Sequence, residues 1–223
     1  AVVDPDINRA RTVAAAFDAL GVSTPDDIIG QLDAAIVAVP TEFHFDLASA
    51  LIRAGVHTLV EKPLALNTEQ AEALADIAQQ SDVTVTVGHV ERYNPAVLEL
   101  DNVVSAPVHI TATRVSPYSQ RISAGVVSDL MVHDLDIVAQ LAGADVTSVA
   151  ALSQNPRSET EDLAVALVKF ANGVTATLTA SRIGQQKIRE ITVTQADSFV
   201  VVDLLRQDVT IHRVDHSEYS DRQ

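Results

Sequence analysis

Two short groups of residues combine types and spacings that could do chemistry. The first is Glu61-Lys62-Pro63, where an apolar, β-branched run beginning at Val56 stops at a carboxylate, an ammonium and an imino acid. A buried strand that ends in this way delivers charge. In an α/β sheet, ligands sit at the carboxyl ends of the strands, so Lys62 is a candidate for chemistry. A solvated charge pair capping the strand is the alternative reading. The second group is Asp129, His133, Asp136 and Gln140, spaced by four, three and four residues within the stretch 128–141. On a helix this spacing aligns them in one polar stripe, and from Leu130 to Leu141 every other position except Asp134 is apolar. Ionisable groups on so apolar a helix are expensive unless they are paired or face a wet cavity. The stripe therefore reads as a catalytic acid/base pair, with a satisfied core Asp-His pair as the alternative. A metal site on Asp129, His133 and His89 lacks a ligand set placed by the sequence, and no metal is predicted.

The elements that must position these groups follow from periodicity. A helix is predicted over residues 8–20, closed by Gly21, and a short helix starts at Thr24-Pro25-Asp26. Residues 34–39 (AAIVAV) read as a strand of the buried parallel kind, halted by Pro40. Thr41 to His44 open a helix ending at Gly55, residues 57–61 form the strand that delivers Lys62, and a helix over 68–80 leads to a strand over 83–87. Strands and helices alternating at this rhythm give right-handed crossovers and a parallel sheet.

After Gly88 the pattern changes. Strands are predicted at 108–115, 146–153, 163–170, 174–182, 188–194, 199–205 and 209–212, interrupted by one helix at 128–141. Asn172-Gly173 between two alternating runs is a hairpin signal. The reading is a second domain of α+β type with a mostly antiparallel sheet. Placing the boundary near Gly88 to Pro95 divides the chain into domains 1–90 and 91–223. The outer face of that sheet has no segment left in the sequence to cover it, which predicts a homo-oligomer paired through it.

Composition bounds the function classes. With 47% hydrophobic residues the chain can bury a sizeable core. No run approaches the ~20 apolar residues of a membrane helix, and the N-terminus has no signal-peptide pattern, so a cytoplasmic protein with no membrane partner is expected. Cysteine is absent, which excludes disulfides and thiolate chemistry. Thirty acidic against 15 basic residues give a net charge of −15, which repels nucleic acid. Only Lys62, Lys169 and Lys187 are lysines, a scarcity matching the proteins of salt-loving organisms; an ordinary acidic enzyme is the alternative. Among so few lysines, one at a strand end is less apt to be a casual surface charge.

The chain opens mid-pattern, with Ala1 to Asp6 reading as the end of a strand that enters a turn. Asp4 has the setting of the acid that takes the adenosine ribose hydroxyls in a dinucleotide-binding unit, about 20 residues after a glycine-rich turn. No G-x-G-x-x-G occurs among the eight glycines. Five motifs nevertheless follow in order: VVDPD from Val2, AVPTEFH from Ala38, EKPLA from Glu61, GHVERYNP from Gly88 and GVVSDLMVHDLD from Gly125. Together, over nearly the whole chain, they resemble the Gfo/Idh/MocA oxidoreductases. The resemblance implies an α/β fold: a Rossmann-type parallel sheet, here lacking its first strand and glycine-rich turn, joined to an open-faced α+β domain. It also implies that the chain is truncated at both ends.

Residue by residue, Lys62 is similar to the family's catalytic lysine beside the nicotinamide, and Pro63 to a proline often preceded by a cis bond. Asp129 and His133 match a D-x-x-x-H pair, in which the histidine takes the hydroxyl proton while the aspartate and lysine assist. Asp4 implies NAD, since a carboxylate repels a 2′-phosphate, whereas Arg9 and Arg11 keep NADP open. Pro40, Thr41, His44 and Glu61, with Lys62, fall in the cofactor-binding segments. GHVERYNP, RVSPYSQR from Arg114 and GVVSDLMVHDLD look most like the nucleotide-sugar branch, in particular its archaeal UDP-N-acetylglucosamine 3-dehydrogenases. There Arg92, Tyr93 and Asn94 would lie in the substrate cleft, and Arg114 or Arg121 would either meet a diphosphate or brace the domain junction. Gly125-Val126 in place of a glycine pair, and Met131 where glycine is common, depart from the pattern. The implied reaction moves hydride from a secondary hydroxyl of a sugar, such as a UDP-sugar, to nicotinamide. A free-sugar or inositol dehydrogenase and a non-catalytic sugar-binding module are the alternatives. Lys62, Asp129 and His133 are expected to converge across the domain junction.

Overall fold

The computed structural model describes residues 1–119 and 124–213, and in it the chain divides into two units, Ala1–Gly88 and His89–Gln223. In the first unit, β1 (Val2–Val3) pairs in parallel with β2 (Gly21–Val22), with α1 (Ile7–Ala15) between them. Asp6 caps α1 by accepting from the Asn8 and Arg9 amides. The helix stops well short of residue 20, because Asp18 takes a left-handed backbone (φ 49°) and the following residues are drawn into the strand beside β1. The predicted short helix is instead two 3₁₀ turns, Pro25–Asp27 and Ile29–Gln31.

A second parallel sheet follows, of β3 (Ala34–Val37), β4 (His57–Val60) and β5 (Val85–Val87), crossed by α2 (His44–Arg53) and α3 (Thr68–Gln79). Leu51 and Ile52 of α2, Leu74 of α3 and Val37 and Val60 of the sheet form its core. Each such side chain contributes roughly 1.5–3 kcal/mol when fully buried. The two faces of β3 differ in this chain. Val37 is buried, but Ile36 is 71% exposed. It opens onto a cleft of about 610 Å³ that is lined from both sheets, by Ala1, Val3, Ile36 and Leu59 among others.

The second unit holds a helix that the sequence reading missed. Asn94 accepts from the Ala96 amide and caps α4 (Pro95–Val103), whose proline occupies the first turn, where no amide is required. The strands β6 (His109–Val115), β7 (Val146–Gln154), β8 (Leu163–Phe170), β9 (Thr175–Ser181), β10 (Ile188–Thr194), β11 (Ser198–Asp203) and β12 (Asp208–Arg213) form one sheet. Its order is β12-β11-β10-β6-β9-β8-β7. Every pairing is antiparallel except β6 with β9. Gly173, at φ 91°, turns the predicted β8–β9 hairpin. A five-residue π-helix, Val127–Met131, runs directly into α5 (Val132–Ala142), which ends on the left-handed Gly143.

Alternation along β6 sends Ile110, Ala112 and Arg114 to the face that packs against the helices, and all three are buried. Leu100 of α4, Ile137 of α5, Leu178 and Ile191 complete that core. The opposite face presents Leu152 (81% exposed), Leu167 (53%) and Phe199 (39%). No helix among the described residues is long and apolar enough to cross a membrane.

Candidate active site

In the first unit the chemistry gathers at the carboxyl ends of β3, β4 and β5. The Glu61 amide donates to the Val37 carbonyl, continuing the β4 ladder one residue past the strand. The Glu61 carboxylate then folds back against Gly88. A Cβ on Gly88 would lie 2.9 Å from it, so a larger residue there would push the carboxylate aside. The same carboxylate accepts from the Lys62 amide at 3.3 Å. Lys62 itself is half-buried, and the Lys62–Pro63 peptide bond is cis.

His44 explains how this strand end is held. It is 1% exposed; its Nδ1 lies 2.9 Å from the Pro63 carbonyl oxygen and its Nε2 2.9 Å from that of Val39. This corrects the expectation that His44 binds cofactor: both ring nitrogens are used by backbone, and no ring edge is left for a ligand. Its role is to tie the segment after β3 to the segment after β4. Pro40 is exposed and Thr41 half-buried at the entrance to α2. Asp4, just past β1, accepts from the Asp6 amide at 2.8 Å, and the Arg9 guanidinium stands 3.4 Å from its other oxygen. With a quarter of its side chain exposed, Asp4 is accessible for the ribose contact expected of it. An acid at a strand tip, next to an open set of strand ends, fits a dinucleotide.

In the second unit the predicted stripe divides by role. Asp129 lies in the π-helix and His133 in the first turn of α5, both half-buried. π-Helical turns are rare and frequent at functional sites. Gly125, one turn upstream, is packed against the Glu161 carboxylate, and its carbonyl receives the Asp129 amide. Asp136 is not open to a ligand: it takes a two-pronged bond from Arg92, at 2.7 and 2.5 Å, with His89 Nε2 3.7 Å away. Gln140 is exposed.

Of the residues expected at substrate, Tyr93 is 78% exposed and reaches solvent. Arg92 is exposed along part of its side chain but holds Asp136. Asn94 is occupied as the α4 cap and as a donor to the Leu204 carbonyl. Arg114 is a clear correction. Its Nε and Nη2 grip Asp134 while Nη1 donates to Glu91 at 3.2 Å, and at 2% exposure the guanidinium is enclosed among these carboxylates and not presented to a diphosphate. Its inward parity on β6 decides this. Arg121 lies outside the described residues.

Asp134 and Glu91 are the functional-looking residues the sequence reading passed over. A signal existed: Arg114 shares the parity of Ile110 and Ala112, and Asp134 is the one acid of the apolar helix that stands off the stripe. Burial pushes the Asp134 carboxyl above its ordinary value despite the Arg114 fork. Burial also pushes Glu91 upward, but Arg114 and Arg189 more than offset this and hold it below the ordinary range. Among the described residues no cluster of three or more His, Asp or Glu side chains could hold a metal ion.

Comparison with known proteins places this geometry. Residues 1–89 match the model of an oxidoreductase family with an NAD-binding Rossmann fold, and residues 103–197 match the GFO/IDH/MocA C-terminal domain. Over 213 residues, 95% of its length, the chain is 34% identical to the UDP-N-acetylglucosamine 3-dehydrogenase of Acidithiobacillus ferrooxidans. The chain belongs to the Gfo/Idh/MocA family. Within it, the solved structure of the Acidithiobacillus enzyme superposes with a TM-score of 0.91 at 33% identity, covering 96% of this chain and 73% of that one. The scyllo-inositol 2-dehydrogenase (NAD(+)) of Bacillus subtilis is 29% identical over 198 residues, 81% of this chain. A second solved structure, the WlbA dehydrogenase of Bordetella pertussis in complex with NADH and UDP-GlcNAcA, shares the fold at a TM-score of 0.84 and 20% identity, covering 98% of this chain and 70% of that one. The chain spans 68% of the length of the Acidithiobacillus protein and 58% of that of the Bacillus protein.

Proposed function

We propose that the complete protein is an NAD-dependent dehydrogenase of a sugar hydroxyl, with a UDP-sugar such as UDP-N-acetylglucosamine as its substrate. The observation that carries this is Lys62 at the carboxyl end of β4, next to a proline carbonyl pinned by His44, in a chain whose likeness to a UDP-N-acetylglucosamine 3-dehydrogenase runs along 95% of its length. NAD, when bound, supplies the acceptor for the hydride that leaves the carbinol carbon. His133 takes the hydroxyl proton as the carbonyl forms. Lys62 stabilises the charge developing on that oxygen, commonly the largest single contribution to such a rate, and Asp129 holds the imidazole. Asp4 would take the adenosine ribose, and Pro40, Thr41 and Glu61 line the strand ends over which the dinucleotide lies. Tyr93 and Arg121 are assigned to substrate. In this reading a further strand, turn and helix fills the cleft between β1 and β3 and carries the phosphate-binding turn.

The exposed outer sheet face supports a homo-oligomer paired through it, and the acidic, lysine-poor composition supports a cytoplasmic protein of a high-salt cell. The likeness to a scyllo-inositol dehydrogenase favours a free cyclitol as the second reading. The test is to supply the complete protein with NAD and either UDP-N-acetylglucosamine or scyllo-inositol, following reduced nicotinamide by absorbance. Turnover of the nucleotide sugar, lost by about three orders of magnitude in Lys62→Met while NAD still binds, is expected. Turnover of the cyclitol alone selects the second reading, and turnover of neither points to a binding module.

A further inference from the structure

The polar groups flanking His133 form two clamps on α5. Asp134, one residue on, is gripped by the buried Arg114 fork from β6. Asp136, three residues on, is gripped by the Arg92 fork from the turn Val90–Tyr93. Two residues along an α-helix correspond to a rotation of about 200°, so the clamps seize nearly opposite sides of the helix in its first two turns. They are also linked to each other. Glu91, adjacent to Arg92 in that turn, accepts from Arg114 at 3.2 Å and from Arg189 at 2.9 Å. The same four-residue turn is therefore tied to α5 directly through Arg92 and indirectly through Glu91 and Arg114.

This arrangement is a poor way to gain stability. Desolvating two charges offsets much of their attraction, and an apolar pair of like volume commonly serves the fold as well. What a fork supplies and an apolar contact does not is direction, since its two parallel bonds fix orientation as well as distance. Direction bears on the site here because α5 continues out of the π-helix Val127–Met131, where the helical register changes one turn before His133.

Resting on the assignment of His133 as the proton acceptor, we propose that Arg114 and Asp134 are positioning residues for the reaction. They fix the rotation of α5, and thereby the line along which the His133 imidazole meets the substrate hydroxyl. They touch no substrate. Glu91 and the Arg92–Asp136 fork complete the clamp.

The test compares three variants of the complete protein with the parent: Asp134→Asn, the apolar pair Arg114→Met with Asp134→Leu, and His133→Asn. Asp134→Asn replaces one of Arg114's two charged partners by a neutral one and leaves Glu91 in place, while the apolar pair removes the Arg114 and Asp134 charges together and keeps the volume. The apolar pair should retain the parent's melting temperature to within a few degrees. It should nevertheless lose kcat by about 10- to 100-fold, with KM for the sugar substrate moving less than threefold, because misorientation by an ångström is felt in the reaction step and not in binding. Its His133 ring should give several or exchange-broadened ¹H–¹⁵N signals where the parent gives one set. A stable apolar pair with kcat within twofold of the parent and a single His133 signal set would overturn the proposal. Should Asp134→Asn fail to fold, the apolar pair decides alone. His133→Asn separates the two levels: if it retains turnover, the assignment of His133 falls and the clamp's purpose with it. If it loses turnover while the clamp variants keep theirs, only the positioning role falls.

Discussion

The His44 ring holds the Pro63 carbonyl at 2.9 Å, from the first turn of α2 to the residue after Lys62. Its other nitrogen faces the Val39 carbonyl at the same distance, so one buried ring joins the segments leaving two adjacent strands. A neutral imidazole has one donor, so the tautomer decides which of the two carbonyls receives it. His44→Ala leaves two carbonyls without this partner, which should lower the stability of the first unit by roughly 1–3 kcal/mol in denaturant unfolding. Because Lys62 precedes the released proline, turnover of the complete protein should fall about tenfold or more. Unchanged stability and rate in this variant would show the ring to be a bystander.

The carboxylate of Asp4 is the charge expected to exclude a 2′-phosphate. Asp4→Ser, which keeps an acceptor for the Asp6 amide but removes the charge, should raise the preference for NADP over NAD by roughly 10- to 100-fold, with Arg9 left to meet the phosphate. The ratio of kcat/KM for the two dinucleotides measures it. An unaltered ratio would place the ribose end elsewhere.

Glu91 sets an acid limit on the second unit. Its carboxyl lies below the ordinary value of 4.5, because Arg114 and Arg189 outweigh its burial. A group depressed in the folded state stabilises the fold fully above the unfolded value and loses that stabilisation as pH falls through the folded one. The stability difference between the parent and Glu91→Gln should therefore stay constant above about pH 5 and shrink progressively below it. Asp134 has the opposite sign, since burial outweighs its fork and lifts it above 3.8, so its own contribution is present at low pH and weakens as pH rises from 3.8 through its raised value. A difference that stays flat through acid would contradict the Glu91 ion network.

Leu167, 53% exposed on β8, sits on the outer sheet face with Leu152 and Phe199. If that face pairs with a second copy, Leu167→Glu buries two facing charges at the interface. The oligomer should dissociate to monomers by light scattering in moderate salt, with the melting curve of the isolated subunit little altered. An oligomer of parental mass in this variant would move the interface to another surface.

Periodicity alone determined most of the architecture. The parallel βαβ grammar before Gly88, the strand run after it and the Asn172-Gly173 hairpin were legible because side-chain alternation and turn chemistry are local. Lys62, Asp129 and His133 stood out as candidates for a related reason: charge that interrupts an apolar run is visible in one dimension. α4 was not legible, because Asn94-Pro95 fell in the polar segment assigned to the domain boundary, whereas the cap bond to Ala96 makes it a helix start.

What only the tertiary structure decided is which polar groups are spent on the protein itself. His44, Arg114, Asn94 and Asp136 all read as ligand contacts or as members of a catalytic stripe, and each is instead bonded internally by a residue or carbonyl that the sequence leaves unspecified. Arg114 and Asp134 lie 20 residues apart in the chain and Arg92 and Asp136 lie 44. The physical reason is that a buried donor must find an acceptor somewhere. The pattern of a strand or helix says which side chains turn inward, and only the packed fold says which of them meet.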